Sequence, residues 1–230
     1  MLIILNNIFF LLFLFILLFS MYAQFNVYKV FKKYSKIYND KKISGIEIVE
    51  NLKKIYDMEY LNIKKTKGYL TDYYNPIDKS INLSENVQSN CTITSIAIAA
   101  HEMGHALQDK QKNFFLMIRN KIFPFVSIFS NMSIPLLFIG VIFELYNLIL
   151  FGMICYSFIA LFQIITFPIE IDASKKALKL LIDNDYLNKK EISCVKDTLN
   201  AAALTYFAAM TAVLIQMIRF FLIYLNIKDR

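Results

Sequence analysis

Four long stretches of this 230-residue chain are almost empty of charge. Residues 2–23, 122–143 and 145–169 contain no Asp, Glu, Lys, Arg or His, and residues 201–227 contain only Arg219. Each stretch reaches the roughly 20 apolar residues needed to cross a bilayer. Hydrocarbon offers the backbone no water, so each stretch must satisfy its own N–H and C=O groups as a helix. The sequence therefore predicts a mainly α, multi-pass membrane protein with about four transmembrane helices and the lipid bilayer as its first partner. The chain is 57% hydrophobic, above the roughly 45–50% of soluble domains. Residues 2–23 read as an uncleaved anchor rather than a signal peptide. They have no basic n-region, an overlong apolar core and no convincing small-x-small site after it.

The hydrophilic stretches can be assigned to sides of the membrane. Residues 24–121 carry 16 Lys and Arg against 10 Asp and Glu. Lys29, Lys32, Lys33, Lys36, Lys41 and Lys42 crowd the start of this stretch. The positive-inside rule places it in the cytoplasm. The next two runs are separated by a turn at Glu144 without Lys or Arg, so residues 170–200 return to the same side and can join 24–121 in one discontinuous domain. The last run, 201–227, would carry Arg219, Lys228 and Arg230 outward, against the usual bias. A tilted helix with a snorkelling Arg219, or a re-entrant or partly interfacial final segment, would relieve this. The net charge of +7 suits an anionic membrane surface. No base-reading pattern accompanies it, so no nucleic-acid partner is expected. Cys91, Cys155 and Cys194 are odd in number and dispersed, and supply neither a disulfide framework nor a zinc knuckle.

Within residues 24–121, Ser44 and Glu47 form the signature of a capping box opening a helix, with Ile46, Val49, Leu52 and Lys53 as its amphipathic pattern. Residues 68–76 and 79–84 read as two short strands joined by a turn at Asn75-Pro76 with Asp78. Ser84 and Glu85 lead into a helical region, and Thr94 to Gln108 forms a strongly apolar helix. A strand just before that helix could accept an extended peptide at its edge, or simply pack as part of a small hairpin.

That helix carries the chain's two histidines in one motif, His101-Glu102-Met103-Gly104-His105. Residues four apart share a helical face, so both imidazoles can aim at one ion. The HExxH pattern binds Zn2+ and places a general base beside it. Zinc takes His nitrogen at about 2.0–2.1 Å, and a catalytic site adds a third protein ligand and a water. The ion lowers the water's pKa to about 7, and Glu102 can take its proton as the water attacks a carbonyl. Gly104 permits close approach of another backbone or of substrate. The surrounding Ile96, Ala97, Ile98, Ala99, Ala100 and Met103 make uncompensated burial of two imidazoles and a carboxylate costly, which favours a metal.

No histidine remains for the third ligand. Cys is possible, but a carboxylate suits a hydrolytic zinc better. The candidate segment is Phe167-Pro168-Ile169-Glu170-Ile171-Asp172-Ala173-Ser174, where Pro168 would open a new helical segment. Glu170 is the candidate ligand and Asp172 its rival. The two lie about 200° apart around a helix, so both cannot face one ion. The competing role for Glu170 is a solvated carboxylate near Lys175 and Lys176.

The stretch Ile98-Ala99-Ala100-His101-Glu102-Met103-Gly104-His105-Ala106-Leu107-Gln108 resembles the active-site helix of the neutral zinc metallopeptidases of bacterial membranes, the YugP-like group. Four further segments match that family's pattern in order: Tyr22-Ala23-Gln24-Phe25, Leu70-Thr71-Asp72-Tyr73-Tyr74-Asn75-Pro76, Glu170-Ile171-Asp172-Ala173-Ser174 and Ala202-Ala203-Leu204-Thr205-Tyr206. The resemblance implies a small α+β zinc-metalloprotease domain in a bacterial-type cell membrane, with His101, His105 and Glu170 as zinc ligands and Glu102 as catalytic base. More distantly the chain is similar to the gluzincin membrane proteases, including the CAAX prenyl proteases. Those carry Glu-x-x-x-Asp where this chain has Ser174, so the carboxylate that would orient a histidine ligand is missing. Tyr206 could stabilise an oxyanion or simply pack as an interfacial tyrosine.

Residues and resemblance together lead to the expectation of an integral membrane zinc endopeptidase, its site on the cytoplasmic side and its substrates membrane-associated proteins or peptides. Two rivals remain: a non-catalytic zinc-binding scaffold or adaptor, and a transporter using Arg219 and Gln216. The spans carry few ionisable groups and no evident internal repeat, which weakens the second.

Overall fold

The computed structural model describes residues 2–228. Among them the elements run α1 (Leu2–Tyr34), α2 (Gly45–Ile55), β1 (Asn62–Thr66), β2 (Tyr73–Asn75), β3 (Ser80–Ser84), α3 (Glu85–Ser89), α4 (Ile93–Lys110), α5 (Phe114–Ile142), α6 (Tyr146–Asp183) and α7 (Lys189–Lys228). The chain forms two compact units. One is apolar and comprises the N-terminal residues to Gln24, Phe114–Pro168 and the residues from Thr205. The other is polar and comprises Phe25–Asn113 and Ile169–Leu204.

In the apolar unit, α5 and α6 meet across the turn at Glu144, which adopts a left-handed φ of 52°. They pack so closely that a Cβ at Gly140 would lie 2.9 Å from the backbone nitrogen of Ile149. Leu137, Ile149, Met153 and Tyr156 form a small buried cluster there, joined by Val213, Met217 and Phe220 of α7. Among the described residues four helices are long and apolar enough to cross a membrane: Phe10–Tyr34, Phe114–Ile142, Tyr146–Asp183 and Lys189–Lys228. The chain is thus a mainly α, multi-pass membrane protein.

These helices outlast the charge-free runs. Helix α6 continues past residue 169 to Asp183, and α7 begins at Lys189, well before residue 201. Residues 170–200 are therefore the end of one long helix, a short turn and the start of another. Pro168 does not open a new segment as the sequence suggested; it lies inside α6. A proline there forfeits one backbone bond, and helices in apolar surroundings tolerate that loss. Helix α7 is likewise unbroken, unlike a re-entrant segment, and Arg219 stands 5.9 Å over the ring of Phe13. Arg230 lies outside the described residues.

In the polar unit, the capping box at α2 is present: Glu47 N donates to Ser44 Oγ at 3.4 Å, and Ser44 N donates to Glu47 Oε2 at 2.7 Å. The buried face of α2 is Ile48, Val49 and Leu52, with Ile46 only partly covered. These three enter one core with Ile81 and Leu83 of β3, Ile96, Ala100 and Met103 of α4, Leu180 and Leu181 of α6, and Val195 of α7. Burial of each large aliphatic side chain contributes about 1.5–3 kcal/mol. The two strands joined by a turn appear as β2 and β3, paired antiparallel from Tyr73↔Asn82 to Asn75↔Ser80. A third strand, β1, was not anticipated. It pairs parallel to β3 from Asn62↔Ser80 to Thr66↔Ser84, giving the order β1-β3-β2. The strand nearest the motif helix in sequence, β3, is therefore central and buried along its length; it is not an edge.

Candidate metal centre

Thr92 caps α4, accepting a bond from Ser95 N at 3.2 Å, and fixes where the motif helix begins. One face of that helix is sealed in the core. Another meets α6 at Gly104, where a Cβ would stand only 2.6 Å from the carbonyl oxygen of Ala173. Glycine is required because the two helices touch backbone to backbone. This contact brings the residues around Ala173 onto the motif.

Glu170 Oε2 lies 3.2 Å from His101 Nε2 and 3.4 Å from His105 Nε2. One donor atom from each of the three residues falls within 4.8 Å of the others. Glu170 is 4% exposed, which excludes the solvated interfacial role. Asp172 turns away from the cluster, accepting from Gln108 Nε2 at 2.8 Å and from Lys176 Nζ at 2.8 Å. The imidazoles are held from behind. His101 Nδ1 is 3.3 Å from Ser174 Oγ, and His105 Nδ1 is 3.0 Å from Gln108 Oε1. Both Nε2 atoms therefore converge with one carboxylate oxygen. Two imidazoles and a carboxylate are the donor set of a hydrolytic zinc, so these residues fit the ion the motif implies.

Glu102 is buried beside this cluster. Burial pushes its carboxyl up to about 7; the neighbouring Glu170 and Asp72 charges add to this, while His101 and the Tyr74 backbone oppose it. Asp72 is itself raised by burial, against bonds from Ser84 N at 2.6 Å and Ser84 Oγ at 3.1 Å. Edge strand β2 is tied to α4 by Tyr74, whose hydroxyl donates to Asp109 Oδ2 at 2.5 Å. Lys79 Nζ shares that oxygen at 2.6 Å. Burial, and then the Asp109 carboxylate, push the Tyr74 hydroxyl well above its ordinary range.

Of the residues singled out from sequence, His101, His105 and Glu170 meet in one place with Glu102 as an electrostatic neighbour, whereas Tyr206 belongs to the apolar unit. Ser174, seen only as a departure from a carboxylate pattern, occupies the position behind His101. Gln108 and Asp72 were quoted within motifs and given no role. The signal for Gln108 was its place three residues after His105, on the same helical face.

The model of a family described as "Putative neutral zinc metallopeptidase" matches residues 9–225. The chain is 37% identical over 196 residues to a protein of Bacillus subtilis (strain 168) described as "Putative membrane protease YugP", covering 85% of this chain and 87% of that one. No solved structure matches.

Proposed function

Because this chain belongs to the neutral zinc metallopeptidase family, we propose that it is a membrane-bound, zinc-dependent endopeptidase with Glu102 as general base. The observation that carries this reading is the convergence of His101, His105 and Glu170 on one point with a buried carboxylate, Glu102, beside it. His101, His105 and Glu170 would hold the ion. A zinc ion bound there supplies Lewis acidity, polarising a scissile carbonyl and lowering the pKa of water to about 7. Glu102 does the proton work: its carboxylate accepts a proton from the attacking water and returns it to the departing amine.

Strand β2 lies at the edge of the sheet in the order β1-β3-β2 and is fastened to the motif helix through Tyr74. An extended peptide adding to that edge is the positioning mode we assign to substrate. Glu170 directly follows the charge-free run 145–169, so substrates are membrane-associated chains. The Lys and Arg excess of residues 24–121 supports a cytoplasmic site. The name of the Bacillus relative, a membrane protease, agrees with this reading.

The test is Glu102→Gln in purified, zinc-loaded protein acting on an unfolded membrane-protein substrate. Zinc content should stay at the wild-type level while hydrolysis falls by at least about 100-fold. Full activity in the variant would overturn the mechanism. Bound zinc without hydrolysis in the wild type would point instead to a zinc-binding scaffold.

A further inference from the structure

Gln108 is fully buried, and its amide meets three partners of known character. Its Nε2 lies 2.8 Å from the carbonyl oxygen of Ile169 and 2.8 Å from Asp172 Oδ2. Both are acceptors, since a carbonyl cannot donate and Asp172 is held as a carboxylate by Lys176 Nζ at 2.9 and 2.8 Å. Turning the amide over would set oxygen against two oxygens in a buried site, with nothing to offset the lost bonds. The amide orientation is thereby determined, and Oε1 must face His105 Nδ1 at 3.0 Å. An acceptor in that place requires a proton on Nδ1. With the proton on Nδ1, the Nε2 lone pair is the one available to an ion; Nε2 faces the Glu170 carboxylate, itself an acceptor, which can hold a second proton on Nε2 only when no ion lies between them.

We infer that Gln108 is a positioning residue that fixes His105 in its Nδ1–H form, with Asp172 and Ile169 setting the direction of the amide. The inference rests on the zinc reading above but not on proteolysis. It also explains the residue type. Glutamate could accept from His105 but would oppose Ile169 and Asp172, and leucine could do neither. Only an amide accepts on one side and donates on the other at this length. Behind His101, the hydroxyl of Ser174 can donate or accept, so no such constraint acts there.

The chain has two histidines, so 15N-histidine labelling gives two imidazoles to resolve, assigned with His101→Ala. In metal-free protein, NMR should show His105 with a proton on Nδ1, whether or not Glu170 holds a second proton on Nε2. Gln108→Leu should mix the tautomers and weaken zinc, measured by chelator competition, by about 10–100-fold. Gln108→Glu should weaken it at least as much, and adding Asp172→Asn, which turns an acceptor into a donor, should recover part of that loss. A bare Nδ1 on His105 in the wild type overturns the inference. So does unchanged zinc affinity in Gln108→Leu, or the absence of recovery in the double variant. Should the protein prove not to be a peptidase, the tautomer and zinc results stand unaffected.

Discussion

At position 104 the backbone of α4 lies against that of α6, and His101 and His105 meet Glu170 only because nothing intervenes. Alanine would gain about 1 kcal/mol of helix propensity over glycine. Its Cβ would nevertheless meet Ala173 O at 2.6 Å and Ala173 Cα at 3.3 Å. These are backbone atoms that cannot rotate away, so α6 must retreat. Ala173 lies between Glu170 and Ser174, the two α6 residues that touch His101. Gly104→Ala is therefore expected to lower zinc affinity by at least tenfold in chelator competition while α4 stays helical. Equal or tighter zinc binding would show that the helices do not meet as described. The motif residues were legible in the sequence because HExxH is a local pattern on one helical turn. Glu170 was legible as a candidate from its place just after the charge-free run 145–169, on the side the topology gives the motif; the ~200° separation said only that Asp172 could not share its ion. Ser174 was not, because a serine is common everywhere and acquires meaning only when Gly104 lets α6 dock.

The elements divide along similar lines. Helix α2 was readable from Ser44 and Glu47 because a capping box is local chemistry, and both of its bonds are made. Strand β1, Asn62-Ile63-Lys64-Lys65-Thr66, was hidden for the opposite reason. It is a sheet edge with a mostly exposed burial pattern and two lysines, so it shows no run of buried apolar side chains. Its identity comes from parallel pairing with β3, a non-local event. The continuity of α6 through Pro168 was also missed, since a proline reads as a boundary in a water-soluble chain but not in an apolar one. The cap at α2 permits a clean test of element against site. Ser44→Ala removes the acceptor for Glu47 N and should destabilise by about 1 kcal/mol. For a domain of this size that lowers Tm by roughly 2–4 °C. The α2 core face, Ile48, Val49 and Leu52, supports α4 and does not include His101, His105 or Glu170, so zinc stoichiometry should not change. A scan of Tm beside zinc content in the same samples checks both halves, and loss of zinc at unchanged Tm would contradict them.

For the molecule as a whole, the polar unit takes its two chain segments, Phe25–Asn113 and Ile169–Leu204, from either side of a helical hairpin that can cross the membrane and return. The contact between His101 and Glu170, at 3.2 Å, is possible only if an even number of crossings separates them. Helices α5 and α6 provide two. The geometry thus constrains topology without reference to charge, and charge then selects the side: 16 Lys and Arg against 10 Asp and Glu in residues 24–121 favour the cytoplasm. Three exposed positions report on both statements: Lys112 at the end of α4, Glu144 in the hairpin turn and Lys190 at the start of α7. In a background with Cys91, Cys155 and Cys194 replaced, single cysteines at 112 and 190 should react with an impermeant thiol reagent only in inside-out vesicles. A cysteine at 144 should react only in right-side-out vesicles. If all three sides are reversed together, the site faces outward and only the charge argument fails. If 112 and 190 react on opposite sides, His101 and Glu170 cannot meet in one chain, and the metal centre fails with the topology that builds it.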